Sequence, residues 1–153
     1  MKTDLEMKSY VRIMDEQAAL YENYARKHGM QSKSLQLLLW VTNYPLATGN
    51  YVTQKLLAEK TYSTKQVVNA TVKSWQKQGY VELRENASDK RHKLVVLTEK
   101  GREFASSVVE KLNRIENEAV QVLTEEEQQT LTALTAKYNA ALKLEMEKAY
   151  DKI

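Results

Sequence analysis

Cysteine is absent from this 153-residue sequence, which removes disulfides, thiolate metal sites and cysteine redox sensing together. Long apolar runs are missing as well. No stretch approaches membrane-spanning length, and the opening MKTDLEMKSY lacks a signal peptide's apolar block. The expectation is a cytoplasmic protein with no membrane partner. The four glycines form no phosphate-cradling loop, and there is no Gly-x-Ser-x-Gly motif. The two histidines, His28 and His92, lie far apart, and neither has a His or Cys neighbour. Clustered carboxylates at Glu125 to Glu127 open a helix, where the dipole favours acids. No catalytic residue, metal site or cofactor is therefore expected.

What is present suits one soluble domain with a real core: 42% hydrophobic and 28% charged residues. The formal charge of +3 is unevenly spread. Residues 51–102 hold eleven Lys/Arg against five Asp/Glu, while the remainder is net acidic. A local cationic excess of this kind suits a polyanionic partner.

The first helix is expected from Leu5 to His28, with Gly29 as its stop. Its apolar residues include Tyr10, Met14, Tyr21 and Tyr24, with Val11 and Ala18 beside them. This spreads over more than one side, which suits packing against both its own domain and a second copy. Ser34 to Asn43 follows as a short, largely apolar helix, capped by Ser32 or Ser34 and closed by Pro45. PLATGNY is expected as a loop, and Thr53 as the cap of a helix that buries Leu56 and Leu57.

Ser63-x-x-Gln66 has the form of a capping box and predicts the next helix start. On that helix Val68, Val72 and Trp75 share one face, with Thr71 at its edge. Gln66, Asn69, Ala70, Lys73 and Lys77 lie opposite. Amides and lysines are the side chains that bond adenine edges and phosphates in a major groove. Beyond Gly79, apolar segments Tyr80 to Arg84 and Lys93 to Leu97 flank a polar loop, predicting a β-hairpin. Its tip carries Lys90, Arg91, His92 and Lys93, suited to a phosphate strand or the minor groove. Asp89, two residues before Arg91, can accept the guanidinium's bonds and fix its aim. A helix pair followed by a basic hairpin predicts a winged helix-turn-helix for double-stranded DNA.

Thr98 is expected to cap a helix running to about Val122, with Phe104, Val108, Leu112, Ile115, Ala119 and Val122 on one stripe. A second capping box, Thr124-x-x-Glu127, starts the last helix, whose stripe runs through Leu131, Leu134, Tyr138 and Met146. Surplus apolar surface on these helices suits pairing with a second copy.

The segment DKRHKLVVLTEKG, Asp89 to Gly101, resembles the wing signature of the MarR (multiple antibiotic resistance regulator) transcription factors. That signature has Asp-x-Arg at the tip, a strand, Leu-Thr, two residues and Gly. The spacing from LLAEK through Gln66-Val67-Val68 to KQGYVEL is similar as well. The resemblance implies a mainly α fold with a small β-hairpin wing. It also implies a DNA-binding lobe over 31–101 and dimerisation helices at 1–28 and 102–153. A homodimer would bind a pseudo-palindromic operator, commonly as a ligand-responsive repressor. Carried over by position, Thr64, Lys65, Gln66, Asn69 and Lys73 look like recognition-helix contacts. Lys90, Arg91 and His92 fall on the wing, with Asp89 orienting the arginine. A small-molecule effector site between the dimer helices and the lobe is implied, where Tyr10, Tyr21, Tyr24, Trp40 and Tyr44 are candidate lining residues. The chain departs from the pattern at Thr61-Tyr62-Ser63, where Leu-Gly-Leu is frequent, and at Ala70, where arginine is. Two other classes fit the same shape: an architectural DNA binder with little sequence preference, and a winged-helix module for protein partners.

Overall fold

The computed structural model describes residues 2–150, with side chains from residue 8 onward; the outermost residues of both expected arms lie outside that range. The fold is mainly α with a small sheet, as the sequence implies. Helices α1 (Lys2–Lys27) and α2 (Ser32–Thr48) precede a two-residue strand β1 (Val52–Thr53). Helices α3 (Gln54–Thr61) and α4 (Lys65–Lys77) form the helix-turn-helix, and β2 (Val81–Arg84) and β3 (Leu94–Leu97) the wing. Then come α5 (Glu99–Ala105), a π-helical turn (Ser106–Glu110), α6 (Lys111–Ala119), a 3-10 turn (Val120–Val122) and α7 (Glu125–Tyr150). The chain divides into two compact units after Lys111.

In the first unit the helices bury what their periodicity predicts. Leu35, Leu37, Leu38 and Val41 of α2 are buried, as are Leu57 of α3 and Val68, Val72 and Trp75 of α4. Thr53 caps α3 by accepting the Leu56 N–H at 3.0 Å. The sheet is antiparallel in the order β1-β3-β2, with Val52 opposite Val95 and Leu83 opposite Val95 on the other side. The central position of β3 explains its apolar run, with Val95 and Val96 both buried.

The ends of the wing are held together at one place. The Thr98 N–H donates to the Tyr80 carbonyl at 3.0 Å, and Lys100 Nζ reaches the Gln78 carbonyl at 2.8 Å. The Thr98 hydroxyl accepts from the Gly101 N–H at 3.0 Å, capping α5. Gly101 crosses the Tyr80 carbonyl so closely that an added Cβ would lie 1.8 Å from its oxygen. Only glycine fits there. The Tyr80 and Phe104 rings stack beside this crossing, 4.4 Å between centroids and 6° from parallel.

Four local expectations are corrected. Pro45 does not close α2 but lies inside it; the helix runs on to Thr48 and ends at Gly49, whose left-handed φ of 77° brings its N–H to the Pro45 carbonyl. Pro45 has no N–H to offer the Val41 carbonyl one turn back, so the helix runs through it with one i→i−4 bond fewer. Gln31, rather than Ser32 or Ser34, stands at the start of α2, and its side chain forms no capping bond. Of the segment expected as a loop, Pro45 to Thr48 is helical, and Val52–Thr53 just after it form β1, which adds a third strand to the hairpin. The Ser63 hydroxyl pairs with the Thr61 hydroxyl at 2.6 Å, so Thr64 becomes the cap and α4 starts one residue later than the box implies.

In the second unit, α7 begins with the expected box: Glu127 Oε1 accepts the Thr124 N–H at 2.9 Å while Thr124 Oγ1 accepts the Glu127 N–H at 3.1 Å. Gln128 Nε2 donates to the carbonyls of Val120 and Leu123, tying the start of α7 to the preceding turn.

Gly101→Ala should destabilise the protein by about 1–3 kcal/mol or more, because overpacking against a backbone carbonyl cannot be relieved by a rotamer change. Urea unfolding measures it. A midpoint equal to that of the unmodified protein would show that the crossing yields freely.

Candidate nucleic-acid interface

The outward face of α4 follows from its buried one. With Val68, Val72 and Trp75 turned into the core, Lys65, Gln66, Asn69, Ala70, Lys73 and Lys77 are exposed. Thr64 is exposed too, but its hydroxyl accepts the Val67 N–H at 3.2 Å, so it holds the first turn open-ended toward solvent.

The wing tip is a pair of successive turns. The Asn86 carboxamide oxygen accepts the Ser88 N–H at 3.1 Å, and its carbonyl accepts the Asp89 N–H at 3.2 Å. Asp89 then grips Arg91 three times. Oδ1 accepts from both the backbone N–H and Nε at 3.1 Å, and Oδ2 accepts from Nη2 at 3.3 Å. The fork is the expected orienting contact. Arg91 itself stays 82% exposed, while Asp89 is only 34% exposed. The Arg91 side-chain bonds, followed by its backbone N–H, hold the Asp89 carboxyl below the ordinary carboxylate range. The same pairing raises the Arg91 guanidinium. His92 lies against the other side of the carboxylate, Nε2 4.0 Å from Oδ2.

The wing and the helices meet. Gln54 and Lys55 of α3, Lys65, Gln66, Val68 and Asn69 of α4, and His92 of the wing line one groove of about 340 Å³. A second, of about 310 Å³, is lined by Gln54, Leu83, Arg91, His92 and Lys93. Five of the eight candidate contacts, Lys65, Gln66, Asn69, Arg91 and His92, line these two grooves. Lys73 lies on a shallower depression with Ala70, Ser74, Gln76 and Lys77. Lys90 points to solvent, 4.0 Å from Glu85. Gln54 and Lys55 were not singled out by the sequence. Their signal was Thr53: a capped start puts the next two residues in the first turn of α3, facing α4.

Cations here are largely unneutralised. Lys55, Lys65, Lys73, Lys77 and Lys93 are exposed and make no ion pair among the described residues. Arg84 differs: Glu82 holds it at 2.7 Å and it lies 5.9 Å over the Tyr51 ring.

The aromatic candidates fall into separate places. Trp40 and Tyr44 lie 6.0 Å apart on α2 and line a groove of about 490 Å³ with Leu39, Asn43, Ala47 and Lys60. Tyr24 instead donates its hydroxyl to the Val108 carbonyl at 2.6 Å, and its ring packs 4.5 Å from His28. Tyr10 and Tyr21 are half-buried on α1 and do not line the Trp40–Tyr44 groove. Among the described residues no group of three His, Cys, Asp or Glu side chains is arranged to hold a metal ion. No helix among them is long and apolar enough to cross a membrane.

The Asp89 clamp has a testable sign. Its folded value is depressed, so its stabilisation is complete above the ordinary carboxylate range and is lost as pH falls through the lowered folded value. Carboxyl-carbon NMR titration should find Asp89 below the ordinary range, and Arg91→Ala should return it upward. Identical titration curves would mean the fork is not formed in solution.

Residues 28–92, from the approach to α2 through the tip of the wing, match the family model described as MarR family. Over 81 residues the chain is 36% identical to YdcH, an HTH-type transcriptional regulator of Bacillus subtilis. That match covers 51% of this chain and about half, 55%, of the relative. The fold is similar to that of NMB1585, a MarR family regulator from Neisseria meningitidis, with a TM-score of 0.75 at 20% identity over 94% of this chain and 98% of the other. It is also similar to MepR of S. aureus in a complex with DNA, with a TM-score of 0.65 at 18% identity over 88% and 96%. Across the helix-turn-helix and the wing tip, the chain is thus similar to the MarR family.

Proposed function

We propose that the chain is a DNA-binding transcriptional regulator that acts as a homodimer on a pseudo-palindromic operator, α4 entering the major groove and the wing the minor groove. One observation carries this reading: His92 from the wing and Lys65, Gln66 and Asn69 from α4 line a single groove, so two separate basic elements present one surface. The likeness in fold to MepR, whose structure is known with DNA, supports DNA as the partner. Lys65, Lys73 and the wing cations supply phosphate contacts, while Gln66 and Asn69 carry the amides suited to adenine edges. Arg91, pre-aimed by Asp89, enters the minor groove with less ordering to do on binding.

The homodimer rests on apolar surface that a monomer leaves bare. On α7, Leu131, Leu134, Leu144 and Met146 are 52%, 60%, 53% and 45% exposed, and on α1, Ile13 and Leu20 are 63% and 62% exposed. Pairing two copies would put the α4 helices about one DNA turn, roughly 34 Å, apart. A small-molecule effector fits best at the Trp40–Tyr44 groove, where two rings and the Lys60 ammonium converge. By shifting the spacing of the two α4 helices, an effector there would release the operator, making the protein a ligand-responsive repressor.

Sedimentation should show a dimer at micromolar concentration; a monomer alone would remove the geometric basis. Selection of bound genomic fragments at several salt concentrations separates a regulator from an architectural binder, which enriches no sequence, and from a protein-interaction module, which retains no DNA. On the selected operator, Asn69→Ala should lower the specific-to-nonspecific ratio by about 1–3 kcal/mol. Lys73→Ala should weaken all sequences alike and reduce the salt slope by about one per monomer contact. Equal losses on both kinds of DNA for Asn69→Ala would count against base reading.

A further inference from the structure

We propose that Tyr62, in the turn between α3 and α4, is a DNA contact in its own right, its phenol bonding a backbone phosphate beside the groove that α4 enters. The proposal rests on the DNA-binding reading above. The backbone at Tyr62 is left-handed, with φ 52° and ψ 42°. Among the described residues it is the one non-glycine with positive φ; the other three such positions, following α1, α2 and α4, are Gly29, Gly49 and Gly79. Three helix ends therefore use the residue that adopts this conformation without strain, and the fourth does not. That fourth end presents the recognition helix.

The fold gains nothing visible from the ring. Tyr62 is 72% exposed, and among the described residues its hydroxyl forms no hydrogen bond and its ring no aromatic or cation contact. Strained residues persist only where the surrounding structure holds them, and they cluster at functional sites. The turn is meanwhile well pinned. The Thr61 hydroxyl donates to the Leu57 carbonyl at 2.6 Å, Ser63 pairs with Thr61, and Lys33 Nζ donates to the Thr61 carbonyl at 3.0 Å. Tyr62 is thus displayed from a fixed point, two residues before the Thr64 cap, with exposed Lys60 and Lys65 on either side. A phenol close in the chain to two exposed lysines suits a phosphate oxygen: it donates a hydrogen bond and brings no charge of its own.

Those properties give opposite signs to two measurements. Tyr62→Gly relieves the left-handed strain, so thermal unfolding of the full chain should shift upward. Binding to the selected operator should weaken about fivefold or more, with the salt slope unchanged because no counterion is exchanged. Tyr62→Phe should keep the unfolding midpoint and lose most of the same affinity. Operator affinity of Tyr62→Gly equal to that of the unmodified chain would overturn the contact. So would a lowered midpoint accompanying the loss, which would make the ring a structural part. Full affinity in Tyr62→Phe would exclude the phenol. An unmodified chain that retains no duplex would sink the DNA reading itself, a result distinct from all of these.

Discussion

The wing can act only because its two ends are fixed at one point. α4 runs out at Gly79 and α5 begins after Thr98, and the backbone at Tyr80 takes both the Thr98 N–H and the close crossing of Gly101. Lys100 adds a bond to the Gln78 carbonyl and lies 5.4 Å over the Tyr80 ring. A hairpin anchored in this way projects its tip at a set angle from the end of α4. Were the crossing looser, the tip would swing, and no arrangement of side chains at Arg91 or His92 would hold its distance to α4. The small sheet completes the constraint, since β3 pairs with the hairpin strand on one side and with β1, leading into α3, on the other. Three elements that touch the same groove are therefore tied to one central strand.

Charge on this surface is arranged for a partner rather than for the fold. Exposed ion pairs contribute little in water, and most lysines near the groove form none. Clustered without acids, they repel one another weakly at physiological salt and contribute nothing to stability. Phosphates reverse that sign, with a strong dependence on salt. Arg91 is the exception that shows the division. It is paired, but with a carboxylate in its own turn, so the pair orders the side chain without hiding it. Glu82 with Arg84 looks similar in distance yet differs in consequence, because it neutralises a cation on the strand rather than aiming one at the tip.

Much of this was legible because the features obey simple periods. The two faces of α4 follow from 100° per residue, and Val68, Val72 and Trp75 are buried as that rule requires. Thr98 and Thr124 announce their helices, and both cap as expected. What escaped depends on contacts distant in sequence. β1 is a strand only because Val95 and Leu94 lie beside it, and nothing in Asn50 to Thr53 states that. The Ser63 box fails because Thr61, buried and bonded to Leu57, takes the Ser63 hydroxyl first. The stripe from Phe104 to Val122 was read as one α-helix, but the π-helical turn at Ser106–Glu110 interposes. Within the second unit, Leu112 of that stripe is buried, while Ile115 and Val122 are 46% and 84% exposed.

The α4 helix separates its two tasks by face, and the separation has a consequence for how such a surface changes. Its buried side demands volume and shape at positions three and four apart, and a lost methylene there is felt throughout the core. Its outer side carries Gln66, Asn69, Ala70 and Lys73, none of which the core touches, so these can be exchanged at little cost to folding. On the function proposed above, the constraint on them would come from the duplex. The wing is divided differently: Asp89 and Asn86 build the turn that they also use to aim Arg91, so tip geometry and contact cannot vary separately. On the proposed function, a helix with a free outer face and a wing with a fixed tip would place sequence discrimination in α4 and leave the sequence-tolerant share of binding to the wing.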